Sequence, residues 1–351
     1  MALLLRNALD LYYYLNDEAS DPRVKDFLLM SNPFPTIAIL TVYLYFILKW
    51  GPNYMKDRKP FNLDTLMIVY NVIQIIACCL LLRQGWMYAY GKGYSLFCEP
   101  VDYSPSPDAI EVARGCHAYY LLKIADLLDT VFFVLRKKDN QVSFLHLYHH
   151  TGMVVLTWTA TKFLPGGHSI FTGFINSIIH IVMYAYYLVT AFSPKYKNNV
   201  WWKKYITQMQ IIQFFMIGTH WAALLFQESC GYPKWPVAIM IPQNFFMLAL
   251  FGDFYRKAYI LKKPKVESAQ ENGLTKLSNT SNGTNGIYQN GVHRNGFVSN
   301  GINGSINNNG TNGSLINGLT KRGKTNGVSI TTDTSNLLQR HLATSQQFEN
   351  I

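Results

Sequence analysis

Residues 144–163, FLHLYHHTGMVVLTWTATKF, run through LPGG at 164–167 into HSIFTGFINSIIHIVMYAYYLV at 168–189. Each flanking run approaches the ~20 residues that an α-helix needs to cross a ~30 Å hydrocarbon core. Pro-Gly-Gly is a strong turn signal, so the two runs read as an antiparallel helical hairpin. The first run carries His146, His149 and His150. At i, i+3 and i+4, three imidazoles share one face of a helix. Ionisable groups at membrane depth are costly and by default mark a reaction or transport site.

Working outward, five further apolar runs lie near 34–50, 63–82, 115–135, 205–226 and 235–255. The composition agrees: 49% hydrophobic, 15% aromatic and 15% charged residues, blocked into runs rather than dispersed. That excludes a pair of ordinary soluble domains. The expected fold class is an all-α membrane protein with seven transmembrane helices.

Cations orient it. One set of alternate loops carries Lys49, Lys56, Arg58, Lys59, Arg136, Lys137, Lys138, Lys195, Lys197, Lys203, Lys204, Arg256, Lys257, Lys262, Lys263 and Lys265. The opposite set carries only Lys92, Arg114, Lys162 and Lys234. By the positive-inside rule the first set is cytosolic, which leaves the N-terminus luminal and the C-terminus cytosolic. Much of the net charge of +11 is therefore an orientation signal, and the same rim also suits an anionic ligand.

Three regions follow: a luminal amphipathic segment 1–33, a membrane domain 34–257 and a cytosolic tail 258–351. Leu3-Leu4-Leu5 is too short for the core of a cleavable signal, so the first span is expected to direct insertion. The tail holds eleven Asn-Gly dipeptides between Asn272 and Gly327 without alternating apolar strands beside them, a low-complexity composition expected to be disordered. Its sequons, at Asn282 and Asn312 for example, would stay unglycosylated in the cytosol. Cys78, Cys79 and Cys116 lie in or at spans. Cys98 and Cys230 fall in loops assigned to the lumen, where an oxidising compartment permits a disulfide, and they are expected to pair.

The third span adds Lys123, Asp126, Asp129 and Thr130 on one stripe. A lone Lys or Asp at a helix centre costs about 2.5–3.5 kcal/mol on insertion scales, so these groups should face protein and pair. A structural ion-pair belt satisfies that equally well. The fifth span contributes Asn176, His180, Met183, Tyr184, Tyr186 and Tyr187, and the sixth opens with Thr207, Gln210 and Gln213. The tyrosines suit an aromatic belt as well as a ligand, and the glutamines suit helix–helix hydrogen bonding. Ser143 precedes the fourth span, placing the histidines in the first two turns, where the helix dipole disfavours imidazolium. Neutral imidazoles serve as nucleophile, general base or metal ligand.

The ordered set Lys-x-x-Asp-x-x-Asp-Thr (123–130), His-x-x-His-His (146–150), Asn-x-x-x-His-x-x-Met-Tyr (176–184) and Thr-x-x-Gln-x-x-Gln (207–213) closely resembles the very-long-chain fatty acid elongases. The resemblance covers about residues 21–265, with Gly51-Pro52 and Lys59-Pro60-Phe61 in the first basic loop. It implies a condensing enzyme of the endoplasmic reticulum, a very-long-chain 3-oxoacyl-CoA synthase. Acyl-CoA and malonyl-CoA would give 3-oxoacyl-CoA, CoA and CO2, with no metal and no cofactor, in helices enclosing an acyl-chain tunnel.

By position, the resemblance makes His149 the acyl acceptor, with His146, His150, His180, Asp129 and Asn176 around it. Lys123, Arg136, Lys138, Gln141, Lys203, Thr207, Gln210 and Tyr187 would hold CoA. No Gly-x-Gly-x-x-Gly fold is visible, so a ketoacyl reductase, a dehydratase and an enoyl reductase would complete the cycle, alongside membrane lipid and with no nucleic-acid partner.

The chain departs from the family pattern at Asp126, where Glu is usual. The Lys262-Lys263 pair is not at the extreme C-terminus, where a dilysine signal is read. Two rivals remain open: a histidine-box di-iron desaturase or hydroxylase, which needs about eight histidine ligands where this chain has one box, and a seven-helix receptor or transporter.

Overall fold

The computed structural model describes residues 2–193, Tyr196 and 200–261. The expectations for Lys195, Lys197, the Lys262-Lys263 pair, Lys265 and the Asn/Gly-rich tail from 262 onward lie outside the described residues. Within them every regular element is helical and no strand occurs. Helix α1 is Ala2–Tyr13, and α2 (Phe34–Tyr45) passes through a π-turn at Phe46–Trp50 into α3 (Gly51–Met55). Then come α4 (Asp64–Tyr88), α5 (Pro107–Ala125), α6 (Leu127–Leu135), α7 (Phe144–Phe163), α8 (Ile170–Phe192), α9 (Val200–Ala223) and α10 (Val237–Tyr255).

Among the described residues five helical stretches are long and apolar enough to cross a membrane: Phe34–Met55, Asp64–Lys92, Gly167–Phe192, Trp201–Phe226 and Val237–Ile260. Seven spans were expected. The remaining two, 115–135 and 144–163, are helical but do not meet that standard, so five is the number that length and composition support. The reason is visible in their residues. The first carries Lys123, Asp126 and Asp129 and breaks at Asp126 between α5 and α6; the second carries three histidines and Lys162.

The packing partners form a closed cycle: α4 on α8, α8 on α9, α9 on α10, α10 on α7, α7 on α5 and α5 on α4. This corrects the expected hairpin. Helices α7 and α8, though joined by a short turn, do not pack side by side; their link crosses one end of the ring. Gly166 and Gly167, at φ +134° and +58°, let the chain make that crossing. A Cβ at Gly167 would stand 2.7 Å from the Glu99 carbonyl oxygen, so only glycine fits. Facing one another across the ring, α7 and α8 bring His149 and His180 within electrostatic range.

Outside the ring, α2 and α3 lean on α5–α7 through Leu40, Tyr43, Ile47 and Met55 against Tyr120, Leu127, Val134 and Val154. Interhelical hydrogen bonds join them, Thr36 Oγ1 to Tyr120 OH at 2.6 Å and Tyr43 OH to Thr130 Oγ1 at 2.8 Å. In lipid, where apolar surface alone gives helices little reason to associate, such packing and hydrogen bonds supply the attraction.

The end of the ring crossed by the α7–α8 link is cross-braced. Cys98 and Cys230 form a disulfide with Cα atoms 5.7 Å apart and a sequence separation of 132. The His168 N–H donates to Glu99 O at 2.8 Å, and Lys162 Nζ donates to Met30 O at 2.9 Å. Cross-linking distant segments restricts the unfolded chain, and disulfides contribute about 2–4 kcal/mol. Cys98→Ser is expected to lower stability by that amount in detergent thermal unfolding. Identical melting of wild type with and without reductant would show that the bridge carries no stability.

At the opposite end lie Arg136, Lys137, Lys138 and Lys203. Helix α6 stops there in a left-handed turn at Lys137 (φ +53°), with the Lys138 N–H returning to Phe133 O at 2.8 Å. This is the 6→1 bond of a Schellman cap.

Candidate active site

Helix α7 starts where Ser143 Oγ accepts the His146 N–H at 3.2 Å, an ordinary N-cap that fixes the histidines one and two turns in. The ring centroids of His146 and His150 are 4.2 Å apart, and those of His149 and His150 5.4 Å. His146 is tied by Nε2 to Thr130 Oγ1 at 3.0 Å. Among the described residues the ring nitrogens of His149 and His150 have no hydrogen-bond partner. His150 is buried and His149 partly open.

Opposite, on α8, stands His180. Lys123 Nζ lies 2.9 Å from Asp126 Oδ2 and 3.5 Å from His180 Nε2. An ammonium has only donors, so His180 Nε2 accepts and the proton belongs on Nδ1. That nitrogen points toward Asp126 Oδ2 at 3.8 Å, too far for a hydrogen bond, and is left buried without a partner. His149 lies within electrostatic range of both Lys123 and His180.

Both side chains of the Lys123–Asp126 pair are 2% exposed. Burial of an ion pair is tolerable only when hydrogen bonds satisfy the remaining lone pairs. Asp126 Oδ1 accepts from Gln74 Nε2 at 3.0 Å and from Tyr184 OH at 3.2 Å. Tyr184 OH also reaches Asp129 Oδ2 at 2.9 Å. Gln74 Nε2 further donates to Tyr70 OH at 2.8 Å. The break between α5 and α6 falls at Asp126, whose carboxylate collects these partners from α4, α5 and α8.

Asn176 belongs to an adjoining set. It accepts from Tyr119 OH at 2.8 Å and donates to Gln213 Oε1 at 3.4 Å, linking α5, α8 and α9. The Tyr119 ring lies 4.9 Å from Lys123 Nζ. It also lines an apolar cavity of about 160 Å³. Met153, one turn beyond His149, and Ser177, one turn before His180, line the same cavity, so it begins immediately below the imidazoles. Six helices of the ring contribute to its wall, and Leu164 and Ser169 of the α7–α8 link, with Trp221 and Tyr232, close its far end.

The expected residues thus divide. His146, His149, His150, His180, Lys123, Asp129 and Asn176 converge. Arg136, Lys138, Gln141 and Lys203 stand at helix ends on the basic rim; Arg136 Nη2 is paired with Asp64 at 3.0 Å. Thr207 and Gln210 lie on α9, where Thr207 Oγ1 donates to Lys203 O and Gln210 Nε2 faces Met183 Sδ. Tyr187 is 37% exposed near Tyr184. Asp129 bonds to Tyr184, and Asp126 is the carboxylate that comes within 3.8 Å of an imidazole nitrogen.

Gln74, Tyr70, Tyr119, Thr130 and Gln213 were not assigned to the site. Asn71 and Gln74, polar in the middle of an otherwise apolar run, were the available signal for α4. Among the described residues no three or more His, Cys, Asp or Glu side chains are arranged to hold a metal ion.

These features define a multi-pass, all-helical membrane protein with a histidine–carboxylate centre buried at the head of an apolar cavity. Residues 28–267 match the ELO family, described as GNS1/SUR4, and the chain belongs to that family. It is similar to Very long chain fatty acid elongase 7 of Drosophila melanogaster, 45% identical over 260 residues, 74% of this chain and 79% of that protein. Very long chain fatty acid elongase 7 of Rattus norvegicus is 41% identical over 256 residues, 72% and 90% of the two chains. Very long chain fatty acid elongase 4 of Homo sapiens is 40% identical over 266 residues, 75% and 84%.

Proposed function

We propose that this protein condenses a long-chain acyl-CoA with malonyl-CoA in the first step of very-long-chain fatty acid elongation. The carrying observation is that His149 stands one turn from Met153 of the cavity wall with both ring nitrogens uncommitted among the described residues, while His146 and His180 are engaged by neighbours. An uncommitted neutral imidazole is a nucleophile. Its nitrogen attacks the thioester carbonyl, the C–S bond breaks, and CoA leaves as the thiol after taking up a proton. Malonyl-CoA then loses CO2. The carbanion so formed attacks the acyl-imidazole, the C–N bond breaks, and 3-oxoacyl-CoA is released while the departing ring nitrogen takes up a proton to restore the neutral imidazole.

His150 and His180 are the neighbouring acid, base or orienting groups, with Asp126 and Asn176 fixing the wall around them. Lys123, Arg136, Lys138, Gln141, Lys203, Thr207, Gln210 and Tyr187 are the candidates for holding CoA. A polyanion belongs on the basic rim while its acyl chain enters the apolar interior. In this reading the protein resides in the endoplasmic reticulum membrane with the disulfide end luminal. Its β-keto product goes to the reductase, dehydratase and second reductase that complete the cycle.

Purified protein incubated with acyl-CoA and labelled malonyl-CoA is expected to release CO2 and form a 3-oxoacyl-CoA two carbons longer. Label recovered only in unreacted malonyl-CoA across a panel of acyl lengths would refute the assignment.

A further inference from the structure

The ring of helices is not uniformly sealed. Most neighbouring pairs share long interfaces, whereas α7 and α10 meet along a thin seam. Towards the basic end that seam is closed: Tyr148 OH donates to Gln243 Oε1 at 2.5 Å, and the Tyr148 ring stacks edge-on with Phe246 at 5.1 Å. Towards the disulfide end the contact is apolar only, with no hydrogen bond between the two helices among the described residues. There Leu156 and Ala160 of α7 and Ile239 and Met240 of α10 line the apolar cavity from opposite sides.

Among the residues of the cavity wall, Trp235 and Ile239 are the exposed ones, at 48% and 46%; both lie at or before the first turn of α10. These two residues therefore touch both the cavity and the outer surface. Pro242 lies inside α10 just beyond it, so one backbone hydrogen bond of that turn is missing, a usual origin of local bending.

The far end of the cavity offers no comparable way out. Leu164, Trp221 and Tyr232 are buried there, and Tyr232 follows the disulfide-bonded Cys230 by two residues. A chain held at the histidines and longer than the path to that floor has only the seam left. Ile239 and Met240 lie in a stretch apolar enough to span a membrane, and an alkyl chain that emerges into hydrocarbon exposes no apolar surface to water.

Resting on the acyl-transfer reading above, we infer that the α7–α10 seam beside Leu156 and Ile239 is a lateral portal through which an acyl chain passes between the cavity and the bilayer. The Tyr148–Gln243 bond keeps the seam shut beside the histidines, so the thioester end stays within the ring while the tail communicates with lipid.

The test uses the full chain in phospholipid nanodiscs with acyl-CoAs carrying a terminal diazirine, one long and one shorter. After photolysis, peptide mapping is expected to find the long probe on residues 156–160 and 235–240 and on co-purified phospholipid. The shorter probe is expected to remain on inner wall residues such as Tyr119 and Phe174. Long-probe label confined to Leu164, Trp221 and Tyr232 would overturn the portal while leaving acyl binding intact. Absence of any label displaced by unmodified acyl-CoA would overturn acyl binding itself, and the portal with it. Ile239→Trp supplies a functional check: loss of turnover with the long substrate is expected to exceed that with the shorter one, whereas equal loss counts against the portal.

Discussion

His149→Ala is expected to reduce condensation by a factor on the order of 10³ to 10⁶, because removal of a covalent nucleophile eliminates the two-step route rather than weakening it. Rate is only half of the measurement. Wild-type protein mixed with acyl-CoA in the absence of malonyl-CoA should gain the mass of one acyl group, and the variant should not. His146→Ala, which loses a ring bonded to Thr130, is expected to retain the adduct. If His149→Ala still acquired the acyl mass while His180→Ala or His150→Ala did not, the nucleophile would belong on another ring. The geometry favours His149 because His180 Nε2 already faces Lys123 and His150 is the more deeply buried of the vicinal pair.

Lys123→Met should be the most destabilising single change in the ring. It strands Asp126, 2% exposed and otherwise held by Gln74 and Tyr184, without its cation. Breaking one side of a buried pair costs about 3–5 kcal/mol, chiefly the desolvation of the charge left behind. Adding Asp126→Asn removes that charge but keeps an acceptor for Gln74 and Tyr184. The double variant is therefore expected to melt well above Lys123→Met, giving a large coupling energy in a double-mutant cycle. Additive single and double effects in detergent thermal unfolding would show that the pair is not coupled. Since Lys123 is also a candidate CoA contact, stability rather than turnover is the discriminating measurement.

Much of the site was legible because its residues are unusual for where they lie. Three histidines, a lysine and two aspartates within apolar runs demand partners: Lys123 and Asp126 pair within the third run, Asp129 bonds to Tyr184 of the fifth, and His146 meets Thr130 of the third. Asp126 was visible as a member of the stripe, but its role as hub was not: Gln74 and Tyr184 reach it from α4 and α8, helices distant in sequence. Ser143 was legible as the start of α7, since capping is a local hydrogen bond. The Pro-Gly-Gly turn was equally legible, yet it misled about packing. A turn reverses the chain; it does not choose the helix against which the next one rests.

The charge pattern identified the basic rim, but Arg136 proved to be engaged with Asp64. Cation counts see sign and position along the chain, not pairing. Tyr119 was overlooked because a tyrosine in an apolar helix is unremarkable until its hydroxyl is found on Asn176 and its ring on the cavity wall.

What the amino-acid sequence determined by itself was a helical, membrane-embedded chain, the ends of α7, and the set of ionisable side chains that cannot face lipid. These are consequences of run length, capping and solvation, which act within a few turns. Only the tertiary structure decided that α7 and α8 oppose one another across a closed ring, that Asp126 gathers the buried network, and that a cavity opens below the histidines. Those outcomes depend on which helices pack together, a choice made by shape and hydrogen bonding between segments far apart in the chain.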